Sequence, residues 1–344
     1  MKKVLKNIGK VLLILLLICL ALITVLCINN KIKLKKEAKL IKHQGEYVEV
    51  DGHKMNIYTE GSGDKTLVFM AGANTPAVIY DFKPLYKKLS DDYKIVVIEK
   101  FGYGYSDDID GERSASVLLR QDREALKKAG INGPYILCPH SASGLEAISW
   151  AQEYPEEVEA IIGLDMAVPR EFDYMGNGLD KTPAVTYEDT IKDEEFYNFW
   201  SYDMGLYRIY KIGNIFPASI SKDLTKEERD EYKAITYYWY SKYYKTSMYR
   251  EGLSTKQQIE DLKKIYNTEV PDIPTLFFVS NDSSQFNMMF GSDGMKIWED
   301  IHKEYLDKIS KSKYIKLDCG HYVHVLESEK VSNDMKDFIK DLNN

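Results

Sequence analysis

The residues with the clearest chemical potential lie around Ser141. A short apolar run, Tyr135–Cys138, is typical of a buried strand, and a helical pattern begins at Leu145. Between them stands Pro139-His140-Ser141-Ala142-Ser143, with a serine at the apex of a tight strand-to-helix turn. Such a turn holds the hydroxyl above the sheet, where it can act as a nucleophile. A serine at a helix start is more often an N-cap, so Ser141 alone is weak evidence for a nucleophile. The rest of the chain must also supply the other catalytic groups.

A serine hydroxyl needs a base within hydrogen-bond reach and a third group that fixes the tautomer of that base. The loop that precedes the final helical segment offers His321, directly after Gly320, and His324 as a rival. Two aspartates at strand ends could orient the base. Asp282 follows the run Thr275–Val279, and Asp165 follows the run that ends at Leu164. Asp282 could also be a simple turn aspartate.

Four segments together resemble the α/β-hydrolase superfamily over residue 45 to the end of the chain. Pro139–Ser143 stands where the superfamily has G-x-S-x-G, and Gly320-His321 resembles its G-H loop. Ala71-Gly72-Ala73-Asn74 replaces a loop that often reads H-G, and Glu99–Asp107 resembles D-x-x-G-x-G-x-S-D, whose role is structural. Both glycines of the serine motif are replaced, so Pro139, which has no N–H, must stand at the very end of its strand.

This resemblance implies a catalytic set. Ser141 would be the nucleophile and His321 the general base, with Asp282 preferred over Asp165 because the superfamily uses the chain order Ser, Asp, His. The backbone N–H groups of Ala142 and Ala73 would form the oxyanion hole. His140 is expected to serve in packing, whereas His43, His53 and His302 are expected at the surface.

The implied reaction is acyl transfer to water, through an acyl-enzyme, from a small-molecule ester, thioester or amide. It requires no cofactor and no metal. Dehalogenases and epoxide hydrolases of the same fold use an aspartate nucleophile, and Ser141 argues against both reactions. The alternative is a non-catalytic member that keeps the fold as a binding or signalling module at the membrane.

The elements around these residues predict an α/β fold with a mostly parallel sheet flanked by helices. Two alternating runs on either side of Asp51-Gly52 predict an antiparallel hairpin. The predicted strands are Tyr47–Val50, Met55–Tyr58, Thr66–Met70, Ile95–Ile98, Tyr135–Cys138, Ala160–Leu164, Thr275–Val279 and Tyr314–Leu317. The predicted helices of the core are Val117–Ala129, Leu145–Tyr154, Met295–Ile309 and Val331–Leu342.

The alternation of strands and helices stops after residue 167 and resumes near residue 270. We expect the core to comprise residues 45–167 and 270–344, and residues 168–269 to form a helical insertion, which we call the cap. A capping box at Thr225–Glu228 starts a helix that leads into an aromatic run from Tyr237 to Tyr249. The cap is expected to roof the catalytic site and line an acyl pocket.

The apolar run of residues 11–28 is just long enough to cross a bilayer and predicts a transmembrane anchor. A short basic segment, 1–10, precedes it and a basic linker, 29–44, follows; a cleaved signal peptide is the alternative. Lysines flank the span on both sides, so the positive-inside rule does not decide its orientation. Signal-anchor precedent predicts that the catalytic domain lies outside the cytoplasm. The chain carries a net charge of −7, to which residues 1–42 contribute +9, so the remainder carries −16. Such an acidic domain is unsuited to nucleic-acid binding.

Overall fold

The sheet of this protein has eight strands in the order β1-β2-β4-β3-β5-β6-β7-β8. The computed structural model describes residues 2–176, 178–186 and 196–342. Strand β2 pairs antiparallel with β1 and β4, and every other neighbouring pair is parallel, as predicted. The strands are β1 Glu46–Val50, β2 His53–Glu60, β3 Thr66–Met70, β4 Lys94–Glu99, β5 Tyr135–Pro139, β6 Val158–Leu164, β7 Thr275–Val279 and β8 Ser312–Lys316.

The helices cover both faces of the sheet. Within the described residues the α-helices are α1 Lys2–Glu37, α2 Val78–Tyr86, α3 Ala115–Lys128, α4 Ser143–Glu153, α5 Lys226–Tyr240, α6 Ser247–Glu251, α7 Lys256–Asn267, α8 Ser283–Phe290, α9 Gly294–Leu306, α10 Val323–Leu326 and α11 Ser328–Leu342. Alternate residues of a strand point to opposite faces, so Val68 and Phe69 enter different apolar clusters. One cluster lies beneath α3, α4 and α9, and the other beneath α2 and α11.

Between β6 and β7, the described residues form short 3₁₀ turns, a π-helical turn at Phe199–Asp203 and the helices α5, α6 and α7. The predicted capping box is present, because Glu228 N–H donates to Thr225 Oγ1 at 3.2 Å and Thr225 N–H donates to Glu228 Oε2 at 2.8 Å. The aromatic run is not one helix. Helix α5 ends at Tyr240, and a 3₁₀ turn, Tyr243–Lys245, leads into α6. Positions 177 and 187–195 of the predicted cap lie outside the described residues.

Helix α1 is continuous from Lys2 to Glu37 and is long and apolar enough to cross a membrane. Its apolar stretch is not packed inside the protein. Beyond that stretch the same helix continues without a break into the segment predicted to be a linker, as far as Glu37, and Asn30 there is buried.

Candidate active site

Ser141 lies between the end of β5 and the start of α4, with a φ of +54°. A left-handed backbone is strained for a residue with a side chain, and this strain is typical of a nucleophile at a strand-to-helix turn. The loop after β3 approaches this turn closely, because a Cβ added to Gly72 in that loop would lie 2.7 Å from Cβ of Ser141. Pro139 is the last residue of β5, where its missing N–H breaks no inner hydrogen bond.

Two residues after Ser141, the side chain of Ser143 takes part in the turn. Its Oγ lies 2.8 Å from the carbonyl oxygens of Met70 and His140, one of which accepts its proton, and it accepts a hydrogen bond from His140 N–H at 3.0 Å. The position that tolerates no side chain is Gly144, where an added Cβ would lie 2.3 Å from the carbonyl oxygen of Ala167. In G-x-S-x-G the second glycine stands at the position of Ser143. Here the residue that needs to lack a side chain is the next one, Gly144.

His321 is oriented by Asp165, whose Oδ2 lies 2.7 Å from Nδ1 of the imidazole. Asp165 is fully buried and follows β6 directly. Ser280 donates to it from its N–H at 3.0 Å and its hydroxyl at 2.7 Å, and Trp298 Nε1–H donates at 2.9 Å. Burial acts to raise the pKa of Asp165, but the hydrogen bond and charge of His321, together with the other donors, bring that pKa below its usual value. The carboxylate therefore stays ionised and fixes Nδ1 of His321 as a donor, which leaves Nε2 as the basic nitrogen.

The expectation that Asp282 orients His321 is corrected by this arrangement. Asp282 Oδ1 accepts from Gln285 N–H at 3.2 Å and from Ser284 Oγ–H at 2.8 Å, so its side chain caps helix α8. Asp165 and Asp282 follow adjacent parallel strands and both come before His321 in the chain, so chain order does not distinguish them. The segment Asp282-Ser283-Ser284-Gln285 did carry a distinguishing signal, since an aspartate with glutamine three residues later is typical of a helix N-terminus.

The predicted oxyanion donors lie at the two sides of the turn. Within the described residues, no protein acceptor is bonded to the N–H of Ala142 or of Ala73. The loop of Ala73 is held through Asn74, whose φ is +62°. Tyr240 Oη–H donates to the Asn74 carbonyl at 3.0 Å, and Tyr243 Oη–H donates to Asn74 Oδ1 at 2.6 Å. The sequence placed these two tyrosines in the aromatic run of the cap, but no pattern in it pairs them with a loop far away in the chain.

The remaining histidines near the site support the His321 loop. His140 is buried with its ring 4.6 Å from that of His321, and its Nε2 lies 3.3 Å from the carbonyl oxygen of His321. Burial, with a smaller contribution from His324 and His321, lowers the pKa of His140 well below its usual value, so the ring is neutral. His324, the rival base, is occupied by Asp81, whose Oδ2 lies 3.1 Å from its Nε2. His302 is not at the surface as expected: it is buried, and Trp298 and Met166 carbonyls contact its ring nitrogens at 2.6 and 2.8 Å.

The segment Glu99–Asp107 serves the fold, as the resemblance implied. The buried Glu99 carboxylate accepts from Asn56 Nδ2–H at 2.9 Å and from Tyr105 N–H at 2.8 Å. Gly104 leaves room for it, because an added Cβ would overlap the carboxylate. Lys100 forms buried ion pairs with Glu146 of α4 and Glu251 of α6, at 2.9 and 2.6 Å. These contacts join the inserted segment to the helix that follows Ser141.

Comparison with known proteins extends these observations. No protein-family model matches the chain. It is 40% identical over 235 residues to the uncharacterized protein YbdG of Bacillus subtilis, covering 67% of each chain. It is 27% identical over 118 residues to the 2-(acetamidomethylene)succinate hydrolase of Mesorhizobium japonicum, covering 34% of this chain and 41% of that protein.

Solved structures show the same fold at low sequence identity. An epoxide hydrolase from Bacillus megaterium superimposes with a TM-score of 0.60 and 17% identity, covering 86% of this chain and all of that chain (100%). A haloalkane dehalogenase loop variant from Bradyrhizobium elkanii gives 0.58 and 18%, covering 87% and 96%. With the mostly parallel sheet, these structures show that the chain has the α/β-hydrolase fold, and its 40% identity to YbdG shows that the two proteins belong to one family.

Proposed function

We propose that this protein is a serine hydrolase that transfers an acyl group from an ester, thioester or amide to water, with Ser141, His321 and Asp165 as its catalytic triad. The observation that carries the proposal is the bond of 2.7 Å between His321 Nδ1 and the fully buried carboxylate of Asp165, at the end of the strand that neighbours the one leading to Ser141 with its left-handed backbone. An imidazole oriented in this way can act as a general base through Nε2, and Ser141 supplies a hydroxyl at the same edge of the sheet.

The chemical steps follow from these roles. His321 Nε2 takes the proton of Ser141 Oγ as the oxygen attacks the acyl carbon, and Asp165 stabilises the imidazolium. The N–H groups of Ala142 and Ala73 stabilise the negative oxygen of the tetrahedral intermediate. The imidazolium then gives its proton to the departing alcohol, thiol or amine, which leaves the acyl group on Ser141. Water hydrolyses this ester with His321 again as the base and restores the free serine.

The nucleophile separates this protein from the neighbours that share its fold. The epoxide hydrolase and dehalogenase reactions proceed through an aspartate nucleophile, whereas the turn here holds Ser141. A serine attacking an acyl carbon forms an ester that water cleaves, which is the reaction that this set of side chains serves best. The proposed substrate is therefore an acyl compound.

We also infer where the enzyme acts. Residues 168–269 are proposed to cap the site, since Tyr240 and Tyr243 bond to Asn74 beside the predicted oxyanion hole. Helix α1 is proposed to remain attached as an anchor, because it runs without a break from the apolar stretch into residues that bond to the cap. The catalytic domain is proposed to lie outside the cytoplasm.

A fluorophosphonate probe tests the proposal on the full-length protein. The probe should form an adduct on Ser141, located by mass spectrometry of the labelled peptides, and Ser141→Ala should remove it. Ser284→Ala, which changes an exposed hydroxyl in the first turn of α8, is the matched control and should keep the label. A folded wild-type protein that resists labelling and hydrolyses no activated ester would favour the alternative, a non-catalytic binding module.

A further inference from the structure

Helix α1 is fixed to the cap just after its apolar stretch ends at Ile28. Asn30, only 1% exposed, accepts hydrogen bonds at its Oδ1 from Tyr207 Oη–H at 2.9 Å and Arg208 Nε–H at 2.7 Å. Arg208 also makes a bidentate ion pair with Glu37, with both bonds at 2.7 Å. Gly205 makes room for Asn30, because a Cβ there would lie 2.6 Å from Cγ of Asn30. Two polar contacts, two helical turns apart, therefore hold the end of the helix against the cap.

The depth of this joint follows from helix geometry. The polar headgroup layer extends about 5–7 Å beyond the hydrocarbon core on each side, and a helix rises about 1.5 Å per residue. If the core ends near Ile28, the next four or five residues of α1 lie in the headgroup layer. The cap surface that contacts Asn30 lies in the same layer.

A groove of about 990 Å³ opens between α1 and the cap at this level. Its apolar wall includes Ile28 and Ile32 of the helix and Phe199 of the cap. Four lysines also line it, with Asp203 as the single acidic residue of the lining: Lys31 and Lys35 from the helix, Lys242 and Lys245 from the cap.

The described part of the chain leaves the lysines of this groove without an ion-pair partner. Within the described residues, none of the four lysines forms an ion pair with a carboxylate. Lys242 is held in place by aromatic rings, with its Nζ 4.1 Å from the centre of the Trp239 ring and 3.2 Å from the hydroxyl of Tyr238. The groove thus combines a cationic mouth with an apolar wall that continues toward the hydrocarbon core.

We propose that this groove binds an anionic phospholipid from the membrane that holds α1. The phosphate lies among the four lysines, and an acyl chain runs along Ile28 and Ile32 toward the hydrocarbon core. A soluble phosphate would satisfy only the lysines and leave the apolar wall in water, whereas a lipid matches both. The site is separate from the catalytic triad and its existence does not depend on the proposed reaction.

The test uses the full-length protein in phosphatidylcholine nanodiscs that contain a photoactivatable phosphatidylglycerol. Mass spectrometry of the cross-linked peptides should find the lipid on residues 28–38 and on residues 198–203 or 238–245. Replacing two groove lysines, Lys31→Gln with Lys35→Gln, should reduce this cross-linking about tenfold or more, since each lysine near the surface contributes about fivefold to anionic-lipid binding. Lys242→Gln tests the cap side of the groove independently.

The matched control is Lys33→Gln with Lys36→Gln, which removes the same charge from the same turns of α1 at positions outside the groove lining. It should leave the cross-linking nearly intact. Equal losses in both pairs would show a general attraction of the lysine-rich helix end and overturn the proposal. Equal cross-linking by a photoactivatable phosphatidylcholine would also overturn it, because the lysines would then select nothing. Thermal unfolding of each variant distinguishes loss of the lipid from loss of the fold.

Discussion

At the scale of single residues, the carboxyl group of Asp165 determines how His321 can act. It receives four hydrogen bonds, from His321, Trp298 and two from Ser280, in a site without exposure to water. An unpaired carboxylate would be costly at such a depth, so these donors are what allow a buried negative charge beside the base. Asp282 follows the next strand of the sheet, and its side chain caps the N-terminus of α8 instead of binding His321.

We expect Asp165→Asn to lower the rate of p-nitrophenyl acetate hydrolysis by about 10⁴-fold, because an amide favours the wrong tautomer of the base. Asp282→Asn is the matched change on the neighbouring strand and should keep nearly full activity and stability, since asparagine caps a helix as well as aspartate does. Steady-state kinetics and thermal unfolding of both variants check this. A larger loss of rate in Asp282→Asn would reinstate that residue as the triad acid.

At the scale of elements, sequence periodicity located the core but not the joints between its parts. Buried strands such as Ile95–Ile98 and the period of α4 were predictable, because local burial dictates the pattern. The end of helix α5 within the aromatic run was not predictable from the sequence. Its helical pattern continues past Tyr240, yet α5 ends there, where Trp239 Nε1–H donates to the Gly104 carbonyl at 2.9 Å and Tyr243 bonds to Asn74. These are contacts between segments far apart in the chain, and no local pattern records them.

The two tyrosines that reach Asn74 are expected to position the oxyanion loop. Tyr243→Phe removes a donor to Asn74 Oδ1 and should lower kcat for a small activated ester about three- to tenfold with little change in KM, as the loss of one hydrogen bond of about 0.5–1.5 kcal/mol implies. Tyr210→Phe, which changes a tyrosine that is 76% exposed, is the control and should have no effect. An unchanged kcat in Tyr243→Phe, or an increase in KM alone, would mean that the contact only attaches the inserted segment.

At the scale of the whole molecule, helix α1 and the α/β domain with its cap are joined more closely than the sequence suggested. A lysine-rich stretch after an apolar run predicts a basic linker, either solvated or beside anionic lipid headgroups, and indicates no contact with the rest of the chain. In the structure the stretch continues α1 and reaches the cap through Asn30 and Glu37. In the sequence, a single asparagine among lysines does not indicate a contact with the cap. That contact is visible only in the structure, where Tyr207 and Arg208 donate hydrogen bonds to Asn30.

Two soluble fragments measure what this joint contributes. The fragment 44–344 lacks α1 entirely, whereas 29–344 lacks the apolar stretch but keeps Asn30 and Glu37. Both should contain a folded α/β core, because the sheet begins at Glu46. The shorter fragment loses the bidentate ion pair and the bonds to Asn30, worth about 2 kcal/mol together, and should unfold about 3–4 °C lower.

Limited proteolysis should cleave the shorter fragment faster within residues 196–225, where Tyr207 and Arg208 lose their cover. Within 29–344, Glu37→Gln should reproduce part of this loss, and Lys39→Gln, which changes a charged side chain two residues further on, should not. Equal melting temperatures and equal cleavage of the two fragments would show that the cap holds its shape without the helix. The joint would then tether the enzyme to its membrane without stabilising it.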